Sequence, residues 1–224
     1  MSKTAKEELK LEEELKKGQG ELPILPTRGV VVFPAFLTPL MVSDQRYARL
    51  IDEAVMAGRP IGLFSQKNEE EETVAPDGIY TIGTLGQVIK MLRFPDGSVR
   101  FLVQGSARIR LKKFVKTEPY FTAEVEEIPE RFEKTVEMEA LVRNITDSVK
   151  KIVGLAPYLS EELQISALNT EDPGKLADLV ANSLNLPVAQ KQEVLETFDV
   201  RQRLFKVHKI LLKEAEVLEL SRKI

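Results

Sequence analysis

The chain has 224 residues, 43% hydrophobic and 30% charged, with a formal net charge of −3; that is the balance of a globular protein with one large domain or two small ones, and it argues against general polyanion binding. It contains no Cys and no Trp, which excludes a disulfide framework and a thiolate zinc site and leaves an aliphatic core. No apolar run reaches the roughly 18 residues of a membrane span, and the N-terminus has neither a signal-peptide core nor the Arg of a transit peptide, so a cytoplasmic location is expected.

Residues 1–20 hold five Lys and five Glu with only three Leu. This tail is either solvated disorder or a frayed helix, and Gly18-Gln19-Gly20 separates it from the body of the chain. Next comes Leu22 to Leu40, LPILPTRGVVVFPAFLTPL, with four prolines in an otherwise apolar run. Each proline fixes φ, removes a backbone donor and pushes its predecessor toward extended geometry. A helix is excluded and a central strand is disfavoured; an extended edge broken by turns is expected.

From residue 21 to 129 the remaining signals are mostly those of strands. Val99, Phe101 and Val103 alternate with Arg100, Leu102 and Gln104. Arg108 to Lys112 alternates, and so does Phe121 to Glu126, as half-buried strands do. Pro95-Asp96-Gly97-Ser98 reads as a hairpin turn. One helix interrupts the strands: Tyr47, Leu50, Ile51, Ala54 and Val55 form a single apolar stripe, with Gly58 as its stop. Asn68 to Glu72 is an acidic loop, continued by Pro76-Asp77-Gly78.

Over 130–198 the pattern is helical. Met138, Leu141, Ile145 and Ile152 follow helical spacing, and Pro157 breaks the chain after Gly154. Asp172-Pro173 reads as an N-cap followed by proline at the first helical position. Leu176, Leu179, Val180 and Leu184 continue the stripe, and Pro187 opens another short helix. Residues 199–224 contain no Gly or Pro and predict a helix roughly 39 Å long. Leu204, Leu211 and Leu218 repeat every seven residues beside Ile210, Val217 and Ile224. Such heptads suit a helix that packs on its own bundle and then projects. Leu211, Val217, Leu218 and Ile224 are the candidate assembly residues, and the helix is expected to be cut at Ile224 rather than finished.

Four blocks in order resemble the N-terminal domain of Lon, the ATP-dependent serine protease. The first is the proline-laced opening: Leu22, Pro23, Leu25, Pro26, Arg28, Phe33, Pro34, Pro39 and Leu40. The second runs from Ile82-Gly83-Thr84 through Arg93-Phe94-Pro95-Asp96-Gly97-Ser98 to Val103-Gln104-Gly105 and Arg108. The third is Pro119-Tyr120 with Ala123-Glu124-Val125-Glu126. The fourth spans Asp172-Pro173, Leu176-Ala177-Asp178, Leu184 to Pro187, Lys191-Gln192, Leu195-Glu196-Thr197 and Arg203-Leu204. The resemblance covers about Leu22 to Ile224. It implies an α+β fold: a PUA-like β pseudo-barrel with one helix, then an α-helical bundle ending in a long helix that leads to an ATPase ring. It implies a non-catalytic substrate-recognition and assembly domain that binds unfolded, damaged or degron-bearing proteins and helps organise a hexamer.

The sequence departs from full-length Lon in having no Gly-x-x-x-x-Gly-Lys-Ser/Thr phosphate loop. The nearest trace, Gly174-Lys175, has Asn169 where the first Gly belongs. The serine–lysine protease domain is also missing. ATP and Mg are therefore expected only in a module outside this chain, which is either a fragment or a truncated paralogue. A stand-alone Lon-type adaptor, an oligomerisation module and a nucleic-acid-binding PUA-like protein are the alternative readings.

Other motifs are weaker. Ser148-Val149-Lys150-Lys151 matches Ser-x-x-Lys, without the companion motifs of that enzyme class; a solvated helix face is expected. His208, the only histidine, has no companion ligands. Arg108, Arg110 and Lys112 share one strand face as a candidate phosphate stripe, although lysines on an exposed strand also discourage edge pairing and no aromatic stacking platform accompanies them. Gly83-Thr84-Leu85-Gly86 resembles the loop of RNA-binding KH domains but lacks the flanking helices. The sharpest candidate is Phe33-Pro34-Ala35-Phe36-Leu37. Five apolar residues cannot alternate cleanly around a proline, and exposed apolar surface is what a receptor for unfolded chains needs. Met91, Leu92 and Phe94 are expected to extend it, since flexible Met suits promiscuous contacts. The predicted substrate-binding set is Phe33, Pro34, Phe36, Leu37, Met91, Leu92 and Phe94.

Overall fold

The computed structural model describes residues 2–16 and 20–224, so Gly18 and Gln19 of the expected break lie outside the described residues. The chain forms two compact units, one closing at Pro129 and the other opening at Glu130.

In the first unit the charged tail is a helix, α1 (Lys3–Lys16). The proline-laced segment then forms two strands, β1 (Gly20–Thr27) and β2 (Leu37–Val42). They are followed by α2 (Gln45–Ala57), β3 (Ile61–Ser65), β4 (Ile82–Arg93), β5 (Val99–Lys116) and β6 (Thr122–Glu127). The strand order is β2-β5-β4-β3-β1-β6, with β5 also paired to β6. Five strands thus close on themselves, and β2 hangs on β5 alone.

The expected edge is overturned for β1, which lies between β3 and β6. Its two halves pair on opposite sides: Gly20 to Pro23 run antiparallel to β6, and Ile24 to Thr27 run parallel to β3. Each proline therefore has a side on which the ladder does not require its missing N–H. The edge expectation holds for β2, which carries Pro39.

Strand alternation divides the core in two. Leu22, Ile24, Phe64, Leu85, Ile109 and Val125 fill the closed side. Leu25, Ile61, Leu63, Val99, Phe101 and Val103 face the other way, against Leu50, Ile51 and Ala54 of α2. Each fully buried aliphatic side chain contributes about 1.5–3 kcal/mol.

Helix α2 is bounded as its sequence predicts. Gly58 stops it in the left-handed region at φ 62°, where glycine is unstrained. Asp44 caps it, its carboxylate accepting from the Arg46 backbone N–H at 2.9 Å and from the Arg46 guanidinium. The hydrogen bond from the Arg46 side chain holds the Asp44 carboxyl below its ordinary 3.8. A depressed carboxylate contributes stability above its unfolded pKa and loses it as pH falls through the folded value. The urea midpoint of the wild type should therefore fall more steeply below pH 3.8 than that of Asp44→Asn, which keeps a capping oxygen. The effect is small because both side chains reach solvent. Parallel curves for the two proteins would refute it.

The second unit contains α3 (Val136–Leu155), α4 (Glu161–Asn169), α5 (Pro173–Ser183), α6 (Val188–Leu195) and α7 (Val200–Lys223). Thr135, Asp172 and Asp199 cap α3, α5 and α7. Met138, Leu141, Ile145 and Ile152 are buried as their spacing predicts, together with Val149. The short α4 had no distinct sequence signal. Helix α7 packs along α3 and α5, burying Leu204, Val207, Leu211 and Ala215. Beside them the fully buried Arg203 is ion-paired to Glu130, lies 3.6 Å from Asp178, and donates to the Thr197 carbonyl at 2.8 Å.

Candidate functional site

The three strands β2, β5 and β4 build a surface outside the closed sheet. Residues opposite one another in an antiparallel ladder share a face. Register therefore sets Met41, Arg100 and Leu92 in one row and Pro39, Leu102 and Lys90 in the next, with Leu37 and Gln104 beyond. Val99, Phe101 and Val103 point the other way, into the core with α2. Leu37, Met41 and Leu92 are 54, 57 and 60% exposed. Ile89, in the bulge between Val88 and Lys90, is exposed as well. Neighbouring apolar residues exposed to this degree make the face a candidate interaction surface. Part of this face opens on a groove of about 1090 Å³, lined also by Leu25 to Arg28, Tyr47 and Glu72.

The predicted substrate-binding residues are divided by the fold. Phe33 is completely buried and is removed from the surface; the next residues turn the chain, with Ala35 at φ 73° donating its backbone N–H to the Gly105 carbonyl at 3.0 Å. Pro34 and Phe36 are half-buried. Met91 is opposite Phe101 and packs against the α2 side of the sheet. Leu37 and Leu92 reach the outer face, and Phe94 lies beside it under the Arg100 guanidinium, 4.6 Å from the ring centre. Pro39, Met41 and Leu102, which the sequence did not single out, complete the outer face. Their signal was Pro39 itself, which marks an edge strand whose two sides differ.

The candidate assembly residues also divide. Leu211 is buried within its own unit and is corrected to a core residue. Leu218 is half-buried, while Val217 and Ile224 are exposed. A shallow depression of about 440 Å³ lies along α7 between Phe205, His208 and Leu212.

The weaker motifs find structural roles. Lys151 is exposed and ion-paired to Glu219 at 2.8 Å, so it is not the desolvated base that Ser148 would require. Arg108 is buried rather than on a solvent face, while Arg110 and Lys112 lie 3.6 and 3.7 Å from Glu126, which neutralises the stripe. Gly83 to Gly86 lie within β4. Gly174 opens α5, and the Glu130 carboxylate lies 2.6 Å from where its Cβ would be, beside Asp172; carboxylates there repel phosphate, so the residues do not fit a nucleotide. Among the described residues no cluster of His, Asp and Glu suits a metal ion, and no helix is long and apolar enough to cross a membrane.

Residues 21–213 match the family model described as the ATP-dependent protease La (LON) substrate-binding domain. The chain belongs to that family. The Lon protease of Dictyoglomus thermophilum is 47% identical over 203 residues, covering 91% of this chain and 26% of that protein. Lon protease 2 of Bdellovibrio bacteriovorus is 42% identical over 204 residues, covering 90% of this chain and 26% of that protein. The chain thus spans about a quarter of the length of the curated Lon relatives it matches. Two solved Lon N-terminal domains share the α+β fold. That of the Mycobacterium avium complex superposes with a TM-score of 0.68 at 24% identity, covering 88% of this chain and 98% of that one. That of Xanthomonas campestris gives 0.60 at 18% identity, covering 84% and 96%.

Proposed function

We propose that this Lon-family domain captures unfolded, damaged or degron-bearing proteins and performs no catalysis itself. The observation that carries the reading is the apolar face where exposed Leu37, Pro39, Met41 and Leu92 surround half-buried Leu102 beside the edge strand β2. Such a face binds apolar segments weakly, without demanding one sequence. Weak capture becomes effective when several copies act together. The parent protein would be a cytoplasmic ATP-dependent serine endopeptidase, a homohexamer whose ATP and Mg sites lie in another module. Pro39 removes a backbone donor from the middle of β2, so side chains, rather than continuous strand addition, supply the contacts.

The test is binding of a permanently unfolded protein to the chain and to Leu37→Ser, Met41→Ser. Losing two exposed apolar contacts should weaken binding about tenfold while the thermal midpoint stays within a few degrees. Equal affinity would remove this face from the role. A second reading is supported by the exposed Val217 and Leu220 on α7 and by Ile224 just after it: the helix pairs with other subunits. Sedimentation at rising concentration checks it, and a strict monomer would count against it.

A further inference from the structure

The capture face is not only apolar. Lys90 and Arg100 stand in its two central rows, beside Leu102 and between Met41 and Leu92. Neither takes part in an ion pair among the described residues, whereas the cations around them do: Arg93 is paired with Asp52, Arg49 with Glu53 and Arg46 with Asp44. Arg100 is held over the Phe94 ring, which orients a guanidinium without neutralising it. Asp96, in the hairpin turn nearby, accepts from the backbone N–H and hydroxyl of Ser98 and interacts with Arg100 through its charge, without an ion-pair contact. The groove beside the face includes Arg28, whose guanidinium donates to the Glu69 carbonyl, which orients it without neutralising it, and two carboxylates, Asp44 and Glu72. Asp44 is taken by Arg46. Lys90 and Arg100, neither in an ion-pair contact, thus share the face and its groove with Arg28 and with two carboxylates, Glu72 and Asp96, on a surface whose other side chains are largely apolar.

We infer that the preferred occupant is an extended segment in which apolar residues are flanked by Asp or Glu, its carboxylates meeting Lys90 and Arg100 while its apolar side chains cover Met41, Leu92 and Leu102. This rests on the capture role proposed above and names the substrate class of that face. The cost of holding Arg100 is met before binding by its ring contact, so a carboxylate there loses less entropy than at a free arginine. A segment flanked by Lys would place like charges side by side, which opposes binding.

Three fluorescent peptides with one apolar centre, flanked by Glu, by Gln or by Lys, test this against the whole chain. Affinity should fall in that order, with about tenfold between the Glu and Lys peptides, as two exposed charge contacts reversed in sign allow. The gap should shrink at about 0.5 M salt. In Lys90→Gln, Arg100→Gln the three peptides should bind alike, and Lys90→Gln alone, which leaves the Phe94 contact intact, should close part of the gap. Equal binding of all three to the wild type, with Leu37→Ser, Met41→Ser still weaker for each, overturns the acidic preference and leaves the capture role standing. Tighter binding of the Lys peptide also overturns it. Binding of none of the three overturns both.

Discussion

Arg203→Ala should destabilise the helical unit by about 3–5 kcal/mol, the range found when one partner of a buried ion pair is removed. Arg203 is wholly buried, its guanidinium is ion-paired to Glu130 and near Asp178, and it also donates to the Thr197 carbonyl. Truncation removes a fully buried cation and leaves a void beside Asp178 of α5. It also frees the link between α7 and Glu130, the first residue of the unit. Arg203→Lys should recover little, since an ammonium on a flexible stem cannot replace a planar fork. Urea unfolding followed by far-UV circular dichroism measures the loss. A cost below about 1 kcal/mol would show that the cluster is relaxed rather than locked. A triple replacement, Arg203→Met with Glu130→Gln and Asp178→Asn, should be less damaging than Arg203→Ala, because it removes the charges together.

Gly83→Ala should cost the first unit about 3 kcal/mol, the upper end of what overpacking usually costs. A methyl group there would lie 2.2 Å from the Leu63 carbonyl oxygen and 2.7 Å from the Phe64 ring. The oxygen belongs to β3, which is held by β1 on one side and β4 on the other, so it cannot retreat without breaking a ladder. Gly58→Ala is the control: its φ is 62° and nothing lies within 4 Å of the added methyl, so only local strain of about 1–2 kcal/mol applies. Thermal melts of the two variants decide the matter. If Gly83→Ala were as stable as Gly58→Ala, the close packing of β3 on β4 would be wrong.

Helix caps were legible: Asp172 before Pro173 and Gly58 after Ala57 act where local chemistry places them. The alternation of Val99, Phe101 and Val103 correctly gave a strand with one buried face. The proposed binding surface was only half legible. In Leu37-Thr38-Pro39-Leu40-Met41 the polar Thr38 is buried and Leu37 and Met41 are exposed, the reverse of the pattern hydropathy assumes. Phe33 and Leu37 belong to one apolar run, but the turn at Ala35 sends one inward and leaves the other in solvent. The parallel pairing of β1 with β3 joins residues nearly forty positions apart, and short-range periodicity carries no record of it.

The sequence by itself determined α2, α3, α5, α6 and α7, the strand periodicity, the absence of a phosphate loop and the resemblance to Lon, because caps, alternation and motif spacing are local. The tertiary structure decided which apolar residues are available and which charges are spent. Availability depends on β2 having a single neighbour, and spent charge depends on partners such as Asp52 for Arg93 and Glu126 for Arg110. Both are set by strand order and register, where one residue of slip would exchange the two faces.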